Sequence, residues 1–534
     1  MKLRANDPGY LKAVRCFWKK IAEEASGMWQ NTGGPILGIQ LENEYGHCGG
    51  PSDRKEGMEH LATLKRMAIE LGFNVPYYTA TGWGGAYVLE GETLPVLGGY
   101  VDAPWAGHNR EMPASENFLF LPCHSDPVIG ADWKKKDSQN RLHTYDTDQY
   151  PYLTAELGAG LQVTKLRRTY PWPEDIEAQT VCALGSGANL IGYYMYHGGV
   201  NPDGKYSTLQ ESVATGYPND LPVKSYDFQT CIRETGEIGE SYGRLKKYHL
   251  FLQDFAGLLA PAEPYFPDRR PESPEDLDTP RICVRHNREY GGGFVFLNNH
   301  QRKRKMPEKK QVCINVERNG LSIHTFPVTM GMDECRIIPY SLPMELPEGR
   351  GYTRLMETNA SLLCRLGSRY FFYADREPVY HFDGPPADLV TLTRWEADHA
   401  YRIREALYIT SGVLIEEKEG PVLITGEEKN RIVKYPQHGD KQEMLITAGQ
   451  FSSSVAWKQL PSEAKAGYLV WKLNLAEAME ELSKREWEDV ILKIDFGGDK
   501  AELLQDRKLV ADWFSNGEEW HIALKRLGMP VELE

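Results

Sequence analysis

The sequence predicts an α/β protein: a (β/α)8 TIM-type barrel over residues 1–255, then a β-sandwich region over 256–435 and a jelly-roll-like β domain over 436–534. Three observations predict it. Short, wholly apolar runs alternate with amphipathic helical stretches, the pattern of parallel strands buried on both faces. The units recur at roughly 35 residues, which suits a βα barrel better than a short doubly wound sheet. After Phe255 the texture changes to short β-type runs divided by Gly, Pro and Asn turns, the look of sandwiches.

The elements follow in order. Asp7 can cap a first helix, Pro8 sits in its first turn, and Leu11, Val14, Trp18 and Ile21 recur at helical spacing. An apolar strand spans 36–42. Leu61, Leu64, Met67 and Leu71 mark a second helix over 59–71, stopped by Gly72. Further strands are expected at 75–79, 95–101 and 152–156, then a helix after Pro173 and a buried strand over 188–196. In the β region, 281–284, 293–297 and 422–425 read as strands, while acidic 271–278 and basic 302–305 read as solvated charged loops. Near the end, 475–487 is helical and 490–514 strand-like. No fixed-period repeat occurs.

Composition narrows the function classes. A hydrophobic share of 41% supports sizeable cores, and no run of 18 apolar residues exists to span a bilayer. The 61 basic and 75 acidic residues give a net charge of -14, a field that repels nucleic acid and anionic lipid. Nine cysteines without paired spacing read as reduced, buried thiols of a cytoplasmic protein. The opening residues hold no apolar secretory segment.

"GGPILGIQLENEYG", Gly33 to Gly46, runs an apolar strand straight into Glu42-Asn43-Glu44. Carboxylates at a strand end are paired, wet or catalytic, because burying them alone is costly. Strand alternation puts Gln40, Glu42 and Glu44 on one side. "PYLTAELGAG" sets a second acid, Glu156, in an equivalent place. The separation of 112 residues equals three βα units, so the two acids would face each other across a barrel mouth. Glycoside hydrolysis needs such a pair. The plainer reading is that each glutamate caps a helix or pairs with a lysine.

These residues resemble glycoside hydrolase family 35, the β-galactosidases. The first motif is similar to that family's acid/base strand, which implies Glu44 as acid/base and Asn43 on the sugar 2-hydroxyl, with Glu42 and Tyr45 beside them as substrate-binding residues. "TAELG" resembles the nucleophile strand and implies Glu156. "NLIGYYMYHGGVN" implies that Tyr194 lines the galactose pocket, and "VKSYDF" resembles the segment that folds over the site. "GDKAELLQDRKLVADWF" resembles a closing β domain of bacterial members. Leu157-Gly158 stands where an aromatic pair is usual, and Phe228 where Tyr is common. The resemblance implies an incomplete barrel of about five strands, the fourth to eighth. A fragment, a misassigned start or a complementing N-terminal chain would account for the first three.

The implied activity is a retaining β-galactosidase that releases terminal non-reducing β-D-galactose by double displacement and needs no cofactor. The alternative is a non-catalytic carbohydrate-binding or assembly subunit, and a homo-oligomer is compatible with either. Trp83, Trp105 and Trp133 can stack on sugar or simply pack. Asp102 can bind a hydroxyl or fix its loop. His47 and Cys48 lack the second spaced pair a metal would need. "GSGANL" follows a helix and lacks a third Gly, so it is no dinucleotide loop.

Overall fold

A computed structural model describes the chain except residues 47–48, 52, 81–85, 123–144, 147–148, 207–208, 319–320, 325–326, 450–451, 461–466 and 485–486. The first half is α/β. Helix α1 (Pro8–Glu24) starts where expected, with the Asp7 carboxylate accepting the amides of Gly9 and Tyr10. Helix α2 (Arg54–Glu70) starts earlier than its apolar stripe suggests, because Asp53 caps it.

Strands β1 (Ile39–Gln40), β2 (Tyr77–Ala80), β3 (Leu94–Pro95), β4 (Leu97–Gly99) and β5 (Thr154–Leu157) are short. They pair in parallel, β1 on β2, β2 on β3 and β4 on β5. Parallel bridges continue from Leu153 to Leu190 and from Leu157 to Tyr193. The chain thus lays five parallel segments side by side in sequence order.

Three expectations need correction here. The strand over 36–42 keeps only two residues, because the Gln40 amide turns onto the Glu42 carbonyl and the Asn43 side chain at 2.9 and 2.8 Å. The stretch 188–196 is no continuous buried strand: it is held by two single bridges, and Leu190 is exposed. The even 37-residue spacing is also absent. β2 and β3 follow closely, and β4 and β5 lie far apart in sequence, so the sum of 112 arises from unequal parts.

Helix α3 (Pro173–Gly185) is buried at every residue from Asp175 onward. Short strands β6 (Gly199–Val200) and β7 (Ser225–Tyr226) pair antiparallel beyond it. Helix α4 (Glu240–Leu259) runs through the change of texture at residue 255. Its Phe251 and Phe255, with Val181 and Leu184 of α3, share one apolar core with Phe294, Phe296 and Phe372 of the following β region.

That β region opens with a four-stranded antiparallel sheet of Glu263–Tyr265, Arg281–Asn287, Gly292–Asn298 and Cys335–Tyr340, and further small sheets follow. The final unit wraps the hairpin Lys500–Gln505/Lys508–Phe514 around Leu492, Leu503, Trp513, Trp520 and Ile522. The basic run 302–305 is not wholly solvated. Arg302 is buried and bridges Asp102 and Asp175, because two carboxylates of the α/β half need a cation there. Cys182, Cys231, Cys283, Cys335 and Cys364 are buried, but Cys16 and Cys313 are exposed. Among the described residues, no helix is long and apolar enough to cross a membrane.

Candidate active site

Glu156 stands near the end of β5, half-buried, and the Tyr100 hydroxyl donates to its Oε2 at 2.7 Å. Tyr100 follows β4 directly, so neighbouring parallel strands deliver acid and phenol to one place. Gly158 makes this possible: a Cβ there would stand 2.8 Å from the Tyr100 ring. The aromatic group missing after the nucleophile motif is thus supplied from the next strand. Gly160 is equally constrained, since a Cβ would lie 2.4 Å from the Phe228 carbonyl.

Burial pushes the Tyr100 phenol well above its ordinary pKa, and the charge and hydrogen bond of Glu156 push it further, with smaller contributions from Tyr194 and Glu44. The phenol therefore stays protonated and donating.

Tyr194 adjoins Glu156 through β5, its amide bonded to the Leu157 carbonyl at 3.0 Å. Its hydroxyl shares a 2.7 Å hydrogen bond with that of Tyr226. Burial raises both phenols, and the Glu156 charge adds to each. Phe228 closes the group, edge-on to Tyr194 at 5.8 Å and 4.4 Å from the Tyr226 ring. Trp105 is partly buried and meets Tyr100 edge-on at 5.2 Å.

On the other side, Glu44 is half-buried with φ of +46°, a left-handed conformation that few non-glycine residues adopt. Asn43 is exposed, its Oδ1 accepting from Gln40. The expectation that Glu42 faces the sugar meets a competing partner. Its two oxygens accept from Arg4 Nε and Nη2 at 3.0 and 2.8 Å, a bidentate pair. Tyr45 is fully buried, its hydroxyl donating to the Arg4 carbonyl at 3.0 Å and its ring against Tyr87, so it is a packing residue and not a sugar contact. Asp102 is likewise buried between Arg167 and Arg302, which corrects the hydroxyl-binding alternative. His47, Cys48, Trp83 and Trp133 lie outside the described residues. Among the described residues no group of three His, Cys, Asp or Glu could hold a metal ion.

Tyr100 was missed beside Glu156, while Tyr226 lies in the segment 223–228 already expected to fold over the site. The strand-end rule that singles out Glu156 applies equally to Tyr100, one residue beyond Gly99. The fold adds which residue Tyr226 meets, the Tyr194 hydroxyl.

Parallel strands with Glu156 near the end of one and the Tyr100 phenol bonded to it from the neighbouring strand belong to the α/β class. Within that class the chain is placed by its sequence: residues 1–252 match the model of glycosyl hydrolases family 35. Beta-galactosidase 17 of Arabidopsis thaliana is 26% identical over 245 residues, 45% of this chain and 30% of its own length. Beta-galactosidase 1 of Dictyostelium discoideum is 23% identical over 259 residues, covering 46% and 33%. A beta-galactosidase of Xanthomonas manihotis is 21% identical over 377 residues, covering 66% and 54%. The chain therefore spans about a third of the first two and about half of the third.

Proposed function

We propose that the chain derives from and acts as a retaining glycoside hydrolase on terminal β-D-galactosides. Glu156 attacks the anomeric carbon, Glu44 protonates the leaving oxygen, and Glu44 then takes a proton from the water that releases galactose. Asn43 is the candidate for the 2-hydroxyl and Tyr194 for the pocket wall. The family match supports this reading. The single observation that carries it is the half-buried Glu156 carboxylate near the end of β5, accepting the Tyr100 hydroxyl at 2.7 Å. In the same reading the five parallel segments are part of a (β/α)8 barrel and the last unit is a jelly roll.

The test is hydrolysis of an aryl β-galactoside, with a slow 2-fluoro galactoside to trap the intermediate. Peptide mapping should find the sugar on Glu156. An adduct on any other residue refutes the assignment.

One observation favours a second reading as an assembly subunit. Among the described residues β1 is paired on one edge only, α1 buries none of its residues, and Leu37 is 70% exposed. A partner that adds parallel strands at β1 would cover this edge. Mixing the chain with a separately made segment carrying three βα units should then raise hydrolysis and shift the size of the complex. No shift on mixing removes this reading. The thiols Cys16 and Cys313, free at the surface, fit a cytoplasmic location, which fractionation of cells would check.

A further inference from the structure

The final β unit, nearly 290 residues away in sequence, grips the segment that carries Tyr226. Asp512, fully buried on the strand Lys508–Phe514, spends both oxygens on that segment. Oδ2 accepts the Val223 amide at 2.6 Å, and Oδ1 accepts those of Lys224 and Ser225 at 2.7 and 3.2 Å. On the far flank, Asn516 Nδ2 donates to Gln229 Oε1 at 2.9 Å. Gln229 in turn holds the carbonyls of Leu161 and Thr169. Between these anchors, Phe228 and Gln229 both sit at positive φ, +55° and +54°. Two consecutive left-handed non-glycine residues are ordinary in a tight hairpin turn such as 506–507, but here both are buried between the anchors.

We propose that Asp512 and Asn516 are positioning residues: through three amides and one glutamine they fix Tyr226, and through its hydroxyl bond Tyr194, against the Glu156 side of the site. Neither touches the reacting atoms. The proposal rests on the reading of Glu156 as nucleophile for its kinetic consequence, though not for the coupling itself. Two further contacts keep the same parts in register. Arg168 lies 4.8 Å over the Phe514 ring and donates to the Asp499 and Ser515 carbonyls at 2.8 and 2.9 Å.

The experiment compares the full chain with Asp512→Ala, Asp512→Asn and Asn516→Ala. Amide hydrogen exchange is followed at 223–230 and at 154–157, beside kcat and KM for an aryl β-galactoside and calorimetry with galactose. Asp512→Ala should speed exchange about tenfold or more at 223–230 while leaving 154–157 protected. It should cut kcat/KM about tenfold and weaken galactose binding. Asp512→Asn retains one acceptor oxygen and should recover part of each effect. Should Asp512→Ala not fold, Asn516→Ala removes the one bond across to Gln229, with a local one from the Glu518 amide, and reads the same coupling. Unchanged exchange at 223–230 overturns the proposal, and so does faster exchange with unchanged kinetics and binding in a chain that is active. A parent chain that neither hydrolyses nor binds galactose defeats the functional reading, while exchange alone still decides whether Asp512 fixes Tyr226.

Discussion

Glu156 and Glu44 belong to one parallel arc, yet their surroundings are built differently. Glu156 lies among Tyr100, Tyr194, Tyr226 and Phe228, with buried α3 and the final β unit behind them. Glu44 lies past a two-residue strand, in a left-handed turn, and α1 packs on that strand's core only through partly buried residues such as Trp18 and Ala22. One fastening there is the fork of Arg4 on Glu42. A nucleophile must meet one carbon along one line, and a misplacement of an ångström is expensive. An acid/base partner works through a proton and tolerates a looser hold. The difference between the two sides is thus the one that their proposed roles require.

The sharpest way to break this comparison is to remove each acid in turn. Glu156→Gln should lower kcat by about 10⁴-fold or more, whatever the leaving group. Glu44→Gln should cost about 10²–10⁴-fold on a sugar aglycone, and far less on an aryl galactoside whose leaving group needs little protonation. Matching losses on both substrates would erase the distinction.

Next in size is the pH dependence of the frame behind Glu156. His300 joins Asp175 of α3 to Asp333 at 2.8 and 2.7 Å. Burial lowers its pKa, but these hydrogen bonds outweigh that and lift it from 6.5 to about 9. A raised histidine stabilises fully below pH 6.5 and loses its contribution as pH climbs to about 9, roughly 3 kcal/mol in all. Glu234 behaves differently. Burial and the charge of Asp227 raise it from 4.5 to about 7, so its ionisation opposes folding and stability declines between those values. Melting temperature against pH should fall through both windows. Glu234→Gln should flatten the lower limb and His300→Gln the upper one. A curve unchanged by either variant would show that these groups do not brace the fold.

Tyr100→Phe comes third. It removes a phenol that donates to Glu156 and should cost about 10- to 100-fold in kcat/KM, the range of a hydrogen bond to a charged group. The melting temperature should barely move, because the ring and its packing remain. An unaltered kcat/KM would mean that the phenol does not orient the carboxylate during turnover.

Much of this arrangement was legible in the sequence where a local rule governs. The Asp7 cap, the Pro173 helix start and the strand-end glutamates follow from chemistry within a few residues. What was illegible depends on partners distant in the chain. Arg302 looks like part of a charged loop until Asp102 and Asp175 come within reach. Glu42 and Tyr45 look like sugar contacts until Arg4, some forty positions earlier, takes both. Helix α4 was passed over because it is buried on several sides and carries no clean stripe. The 112-residue interval rested on equal units, and the strands are unequally spaced.

The smallest effect tests the looser side directly. Arg4 donates two bonds to Glu42 and a third to the Asn43 carbonyl at 2.6 Å, and it lies 5.3 Å from the Tyr45 ring. Arg4→Ala should cost about 1–2 kcal/mol in a denaturant titration, because the Glu42 carboxylate is then left without its fork. Arg4→Lys keeps the charge but not the planar pair, and should recover only part of that loss. Exchange should quicken at 39–46 and stay slow at 154–157, while KM rises more than kcat falls as Asn43 drifts. If exchange quickens equally at both places, the two sides open as one cooperative unit. The contrast between a rigid nucleophile side and a yielding acid side would then fail.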